Sequence, residues 1–82
     1  METTYYSIEY AGGEVTGVMR RLRDPGVRQT LEYFDRRTGG WVERADLIDY
    51  LMGSMTATAT EVEEAEALEL TAELRASFQS QG

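Results

Sequence analysis

Seven arginines fall between Arg20 and Arg44, and they are the residues in this chain with the clearest capacity for polar recognition. If the elements carrying them pack together, Arg28, Arg36, Arg37 and Arg44 would form a rim of phosphate contacts for a nucleic acid. The competing reading is solvated arginines paired locally with Glu32, Asp35, Glu43 and Asp46. A second set is acidic. Glu61, Glu63, Glu64, Glu66 and Glu69 crowd one segment, where a basic partner would meet them, although along a helix they do not converge on a cation as a loop would. Covalent chemistry has little to draw on. There is no cysteine and no histidine, which removes thiolates, disulfides, Cys-type zinc sites and the commonest general base. Ser7, Ser54, Ser77 and Ser80 have no evident activating base. Asp46 and Asp49 are an ordinary solvated pair, and Gly12-Gly13 and Gly39-Gly40 lack the lysine and spacing of a phosphate loop. The expectation is a non-enzyme without metal or cofactor.

These side chains need elements to position them, and 82 residues suffice for one small domain, 1–82. Thr3 to Tyr10 alternates with period two and reads as a strand. Ala11-Gly12-Gly13 followed by Val15, Thr16 and Val18 reads as a hairpin, although Val15, Val18, Met19 and Leu22 also fit the stripe of a helix beginning there. Asp24-Pro25 has the form of a helix start, and Val27, Leu31 and Phe34 supply an apolar face, predicting a helix over 25–37 stopped by Gly39-Gly40. Trp41-Val42 reads as a short extended link, after which Leu47, Ile48 and Leu51 predict a second over 44–52, closed by Gly53. Residues 54–60 read as a threonine-rich connector, and Thr60 with Glu63 as a capping box opening a third helix over 61–78. Its stripe is Ala67, Leu70, Leu74 and Phe78, widened by Leu68 and Val62, and 79–82 is a frayed tail. The fold expected is α+β: an N-terminal β-hairpin with a three-helix core.

Leu22 to Phe34 with its Asp-Pro start, the run Gly39-Gly40-Trp41-Val42 with its glycine turn, and Ala45-Asp46-Leu47-Ile48-Asp49-Tyr50-Leu51 together resemble the first two helices of a small prokaryotic winged-helix regulator of haloarchaeal type. The resemblance implies a winged-helix-like core and a DNA-binding, transcription-regulating role. It departs from the family in two respects. The third helix, which would read the major groove, offers glutamates and only Arg75, and no wing hairpin follows it. A second resemblance overlaps the first. Asp35 to Asp46 is similar to an EF-hand calcium loop in its first acid, sixth glycine and acids at the ninth and twelfth positions, but Arg37 and Gly39 stand where oxygen ligands belong.

Charge bears on both. The formal net charge is −7. Nine acids face seven arginines in residues 1–50, whereas six glutamates face Arg75 alone in 51–82. All eight bases are arginine, which reads as the mark of a GC-rich genome or a salt-adapted proteome. Two functions follow: a DNA-binding regulator contacting duplex through Arg28, Arg36, Arg37 and Arg44, or a protein-interaction or nucleic-acid-mimic module whose Glu63, Glu64 and Glu66 dock a basic partner. Leu70, Leu74 and Phe78 would serve the second, closing the core or pairing with a second copy in a homodimer. A degenerate calcium loop is the third reading. Trp41 reads as core or a half-buried lid, and Tyr5, Tyr6 and Tyr10 as packing residues, since no base precedes Arg20 to accompany stacking. No apolar run approaches the length of a membrane span, and Met1 to Tyr10 lacks the pattern of a secretory signal, which points to the cytoplasm.

Overall fold

The structure is a computed structural model and describes residues 2–10, 15–26, 29–48 and 57–81. Its framework is a five-stranded antiparallel sheet in the order β4-β3-β2-β1-β5, followed by one long helix. The strands are β1 (Glu2–Tyr10), β2 (Val15–Arg23), β3 (Thr30–Asp35), β4 (Gly40–Glu43) and β5 (Ala57–Val62); the helix is α1 (Glu64–Gln81). A 3₁₀ turn, Ala45–Leu47, follows β4. β1 and β2 pair along almost their whole length, from Glu2 opposite Arg23 to Glu9 opposite Val15, while the Ala11-Gly12-Gly13 turn lies outside the described residues.

Strand pairing assigns every side chain to a face. Tyr6, Ile8, Met19, Leu31, Ala57 and Leu47 form the core on one side, with Tyr33, Ile48 and Ala59 packed against it, and the 3₁₀ turn supplies its cover. Met19 is at its centre and has no exposed surface. On the opposite face Ser7 and Val18, directly across from each other, are buried with Ala67 and Thr71 of α1, which packs on β1 and β2. Small residues at the contact let the helix lie close to the sheet, and the Thr71 hydroxyl is satisfied by the Leu68 carbonyl at 2.9 Å.

The three-helix, winged-helix-like core is not what forms. In place of a helix over 25–37 stand a turn at Pro25-Gly26 and strand β3, with Arg28 outside the described residues. Thr30 to Phe34 is dense in β-branched and aromatic residues and alternates Leu31/Tyr33 with Glu32/Phe34, a period-two pattern that overrode the four-three spacing of Val27, Leu31 and Phe34. Gly39 does adopt the left-handed conformation, φ 77°, but it closes the β3–β4 hairpin rather than a helix. Its amide donates to the Asp35 carbonyl at 2.8 Å. In place of a helix over 44–52 come the 3₁₀ turn and Ile48, and 49–52 lie outside the described residues. The last helix begins at Glu64, not 61, because Ala57 to Val62 pairs with β1 as a strand; Thr60, expected as a helix cap, sits opposite Ser7.

Candidate functional site

Two concavities flank α1, one near each end. The first, about 460 Å³, opens where the sheet splits. The ladder between β2 and β3 runs only from Met19 to Leu22 against Thr30 to Tyr33, so among the described residues Val15 to Val18 have no partner strand on that side. A β-bulge enhances the divergence: Ile8 faces Gly17 and Glu9 faces Val15, leaving Thr16 as the extra residue. The Thr16 hydroxyl donates to the Ile8 carbonyl at 3.4 Å, and its own carbonyl accepts from Arg36 Nη2 at 2.6 Å across the gap. Ile8, Gly17, Val18, Phe34, Leu47 and Phe78 give the cavity an apolar lining, and Arg36, Arg37 and Arg44 bring cations to it.

The turn that carries Arg36 and Arg37 is held from two sides. Asp35 Oδ1 accepts from the Arg37 amide at 3.0 Å, and the Thr38 hydroxyl accepts from the Gly40 amide at 3.3 Å. From α1, Arg75 Nη1 donates to the Arg36 carbonyl at 2.7 Å and also to the Arg37 carbonyl. The Arg44 guanidinium forms a two-point contact with Asp46 at 3.0 and 2.6 Å and lies 5.5 Å from the Tyr33 ring centroid. The hydrogen bond to Asp46 first, and its charge second, raise the Arg44 pKa above its ordinary value, so the guanidinium keeps its charge throughout the neutral range.

The second concavity, about 640 Å³, is polar and lined by Thr3, Thr4, Tyr5, Glu61, Val62, Glu63, Glu64 and Glu66. Glu64 and Glu66 sit in the first turn of α1, where they complement the positive end of the helix dipole. Among the described residues none of these four glutamates forms an ion pair with an arginine.

Three of the four arginines predicted as phosphate contacts therefore meet at one cavity, and Glu63, Glu64 and Glu66 meet at the other. Leu70 and Leu74 are half-buried on α1, and Phe78 is at the rim of the arginine cavity with 37% of its surface exposed. Leu68, expected to widen the apolar stripe, points outward and is 53% exposed. The acids of the calcium-like stretch go separate ways: Asp35 caps the β3–β4 turn, Glu43 pairs opposite Glu32, and Asp46 binds Arg44. Among the described residues no group of three or more potential metal-ligating side chains converges.

Sequence reasoning missed Thr16, Gly17 and Arg75, since their roles arise from pairings far apart in the chain. It also missed a mixed cluster on the helix-covered face of the sheet. Trp41 is half-buried, 5.6 Å edge-on from Phe34 and 6.1 Å from Tyr5, with the Arg20 guanidinium 4.3 Å over its ring. Arg20 in turn contacts Glu32 at 2.7 Å. Tyr5 lacks a basic neighbour in sequence yet faces Arg20 in register, and Tyr6 has Arg21 at 5.9 Å. No described helix is long and apolar enough to cross a membrane. Compared with protein-family models, with curated proteins and with solved structures, the chain has no match.

Proposed function

We propose that this chain is a small protein-interaction module whose acidic concavity, at the end of β5 and the start of α1, docks an extended arginine- or lysine-rich segment. The carrying observation is the gathering of Glu61, Glu63, Glu64 and Glu66 around one cleft without a compensating arginine among the described residues. β5 adds to it. It is a terminal strand, so a partner chain can extend the sheet along its outer side while cations on that chain meet the glutamates. Electrostatic complementarity of this kind favours fast, salt-sensitive association.

A duplex-binding reading draws on the arginines at the other cavity. Its support is weaker, because Arg44 is engaged with Asp46 and Arg36 is recessed against Thr16, whereas the Arg37 side chain is 74% exposed. Two probes discriminate between the readings: a fluorescent arginine-rich decapeptide and a random-sequence duplex, each titrated at several salt concentrations. The docking reading expects peptide binding that Glu61→Lys/Glu63→Lys/Glu64→Lys weakens at least about tenfold, the scale of one or two charge contacts. Arg36→Ala/Arg37→Ala should leave it unchanged. The converse pattern, duplex retention lost with the arginines and no peptide binding, would replace it with the second reading.

A further inference from the structure

Arg36 is in an unusual position for a cation. It is half-buried in a cavity with a largely apolar lining, and among the described residues it has no carboxylate partner. One of its five N–H donors reaches the Thr16 carbonyl. The others have no protein acceptor among the described residues, although a partly desolvated guanidinium is costly without a counter-charge. Its surroundings do not neutralise it. Arg37 follows it in the chain, Arg75 donates to its carbonyl, and the two acids of the lining, Asp35 and Asp46, are in contact with Arg37 and Arg44. A locally cationic spot thus exists within a molecule of net charge −7.

The apolar part of the cavity is equally well placed. Ile8, Gly17 and Leu47 line it from the core face of the sheet and Val18, Phe34 and Phe78 from the face that α1 covers, so the lining continues through the gap where β2 and β3 diverge. The volume lies within the range of small-molecule sites, about 300–1,000 Å³.

We infer that the split end of the sheet binds a small amphiphilic monoanion, a carboxylate on a medium-length apolar chain, with the carboxylate on the free edge of the Arg36 guanidinium and the apolar body between Gly17 and Phe78. Arg75 is a positioning residue: by holding the Arg36 and Arg37 carbonyls it fixes the turn from which Arg36 reaches into the cavity. The site is near the opposite end of α1 from the acidic cleft and does not depend on the docking reading.

The test uses the intact chain, with decanoate as probe, decyltrimethylammonium and decanol as charge controls, and inorganic phosphate and a random duplex as competitors, read by calorimetry and by displacement of a fluorescent anilinonaphthalene sulfonate. Saturable one-to-one binding of decanoate is expected, with decyltrimethylammonium excluded and decanol at least about tenfold weaker, as loss of a charge-assisted contact implies. Arg36→Gln should bring decanoate down to the affinity of decanol without altering decanol itself. Phe78→Ala, on a part-exposed rim, should weaken both ligands while thermal unfolding stays near that of the parent, and it keeps the proposal testable if Arg36→Gln destabilises the turn. Equal binding of decanoate and decyltrimethylammonium would overturn the proposal. So would full displacement by phosphate or duplex, or decanoate affinity unmoved in both variants.

Discussion

At the scale of single residues, the glycines show how backbone conformation and space make separate demands. Gly26 and Gly39 both have φ 77°, where an L side chain is strained, while a Cβ at Gly39 would meet Arg75 only at an ordinary 3.5 Å. Gly26→Ala and Gly39→Ala should therefore each lose about 1–2 kcal/mol, the cost of a left-handed residue with a Cβ, and lose it to a similar extent. Gly17 has no such conformation, and an added Cβ would lie 3.6 Å from Ile8 Cδ1. Gly17→Ala should be stabilising by about 0.5–1 kcal/mol, because glycine in a strand carries an entropic penalty. Urea midpoints followed by far-ultraviolet circular dichroism would rank the three, and a stabilised Gly39→Ala would contradict the turn geometry. Met19 sets the other extreme. Fully buried between Tyr6 and Tyr33 in register, it should lose about 2–5 kcal/mol on truncation to alanine.

At the scale of elements, α1 depends on a small residue at its closest approach. Ala67 has no exposed surface, whereas its neighbour Leu68 is 53% exposed. Ala67→Leu should push the helix off Ser7 and Val18 at a cost of about 1–3 kcal/mol, and Leu68→Ala should stay within about 0.5 kcal/mol of the parent. Equal effects in a urea titration would mean that α1 packs through a different face. The same contrast explains what was legible. β1 could be read because Tyr6 and Ile8 alternate with Tyr5 and Ser7 over a long run, and a helix near Ala67, Leu70 and Leu74 could be read because the stripe persists for several turns. β3 could not, and of β4 only Trp41-Val42 could be read as extended, as a link between helices. Leu31 and Phe34 satisfy a helical spacing as well as a strand one, and Gly39 at positive φ ends a helix as readily as it closes a hairpin. β5 was hidden because its inward residues are Ala57 and Ala59, too small to make Thr58 and Thr60 look like the outer half of an alternation. The candidate sites were legible as charge groups, Arg36 with Arg37 and Arg44, and Glu63 with Glu64 and Glu66. The cavities holding them were not, because the bulge at Thr16 and the reach of Arg75 are properties of pairing.

At the scale of the whole molecule, the charge is distributed in a way that makes stability respond to salt with a definite sign. The described ion pairs, Arg20–Glu32, Arg37–Asp35 and Arg44–Asp46, involve side chains from 13% to 74% exposed. Pairs with such exposure are worth about 0–1 kcal/mol each, so screening them removes little. Against this stands the repulsion of a net −7 molecule, concentrated where Glu61, Glu63, Glu64 and Glu66 border one cleft. Raising sodium chloride from 0.02 to 1 M shortens the screening length to about 3 Å and should relieve that repulsion more than it weakens the pairs. Thermal unfolding is therefore expected to move upward with salt, and the gain should shrink in Glu63→Gln/Glu64→Gln/Glu66→Gln, which starts with the repulsion already reduced. Sucrose, which strengthens burial without screening, separates this from a general effect on the apolar core. A melting temperature that falls with salt, or an identical gain in the triple variant, would place the dominant electrostatic contribution in the arginine pairs instead and leave no repulsion at the acidic cleft for a docked basic segment to offset.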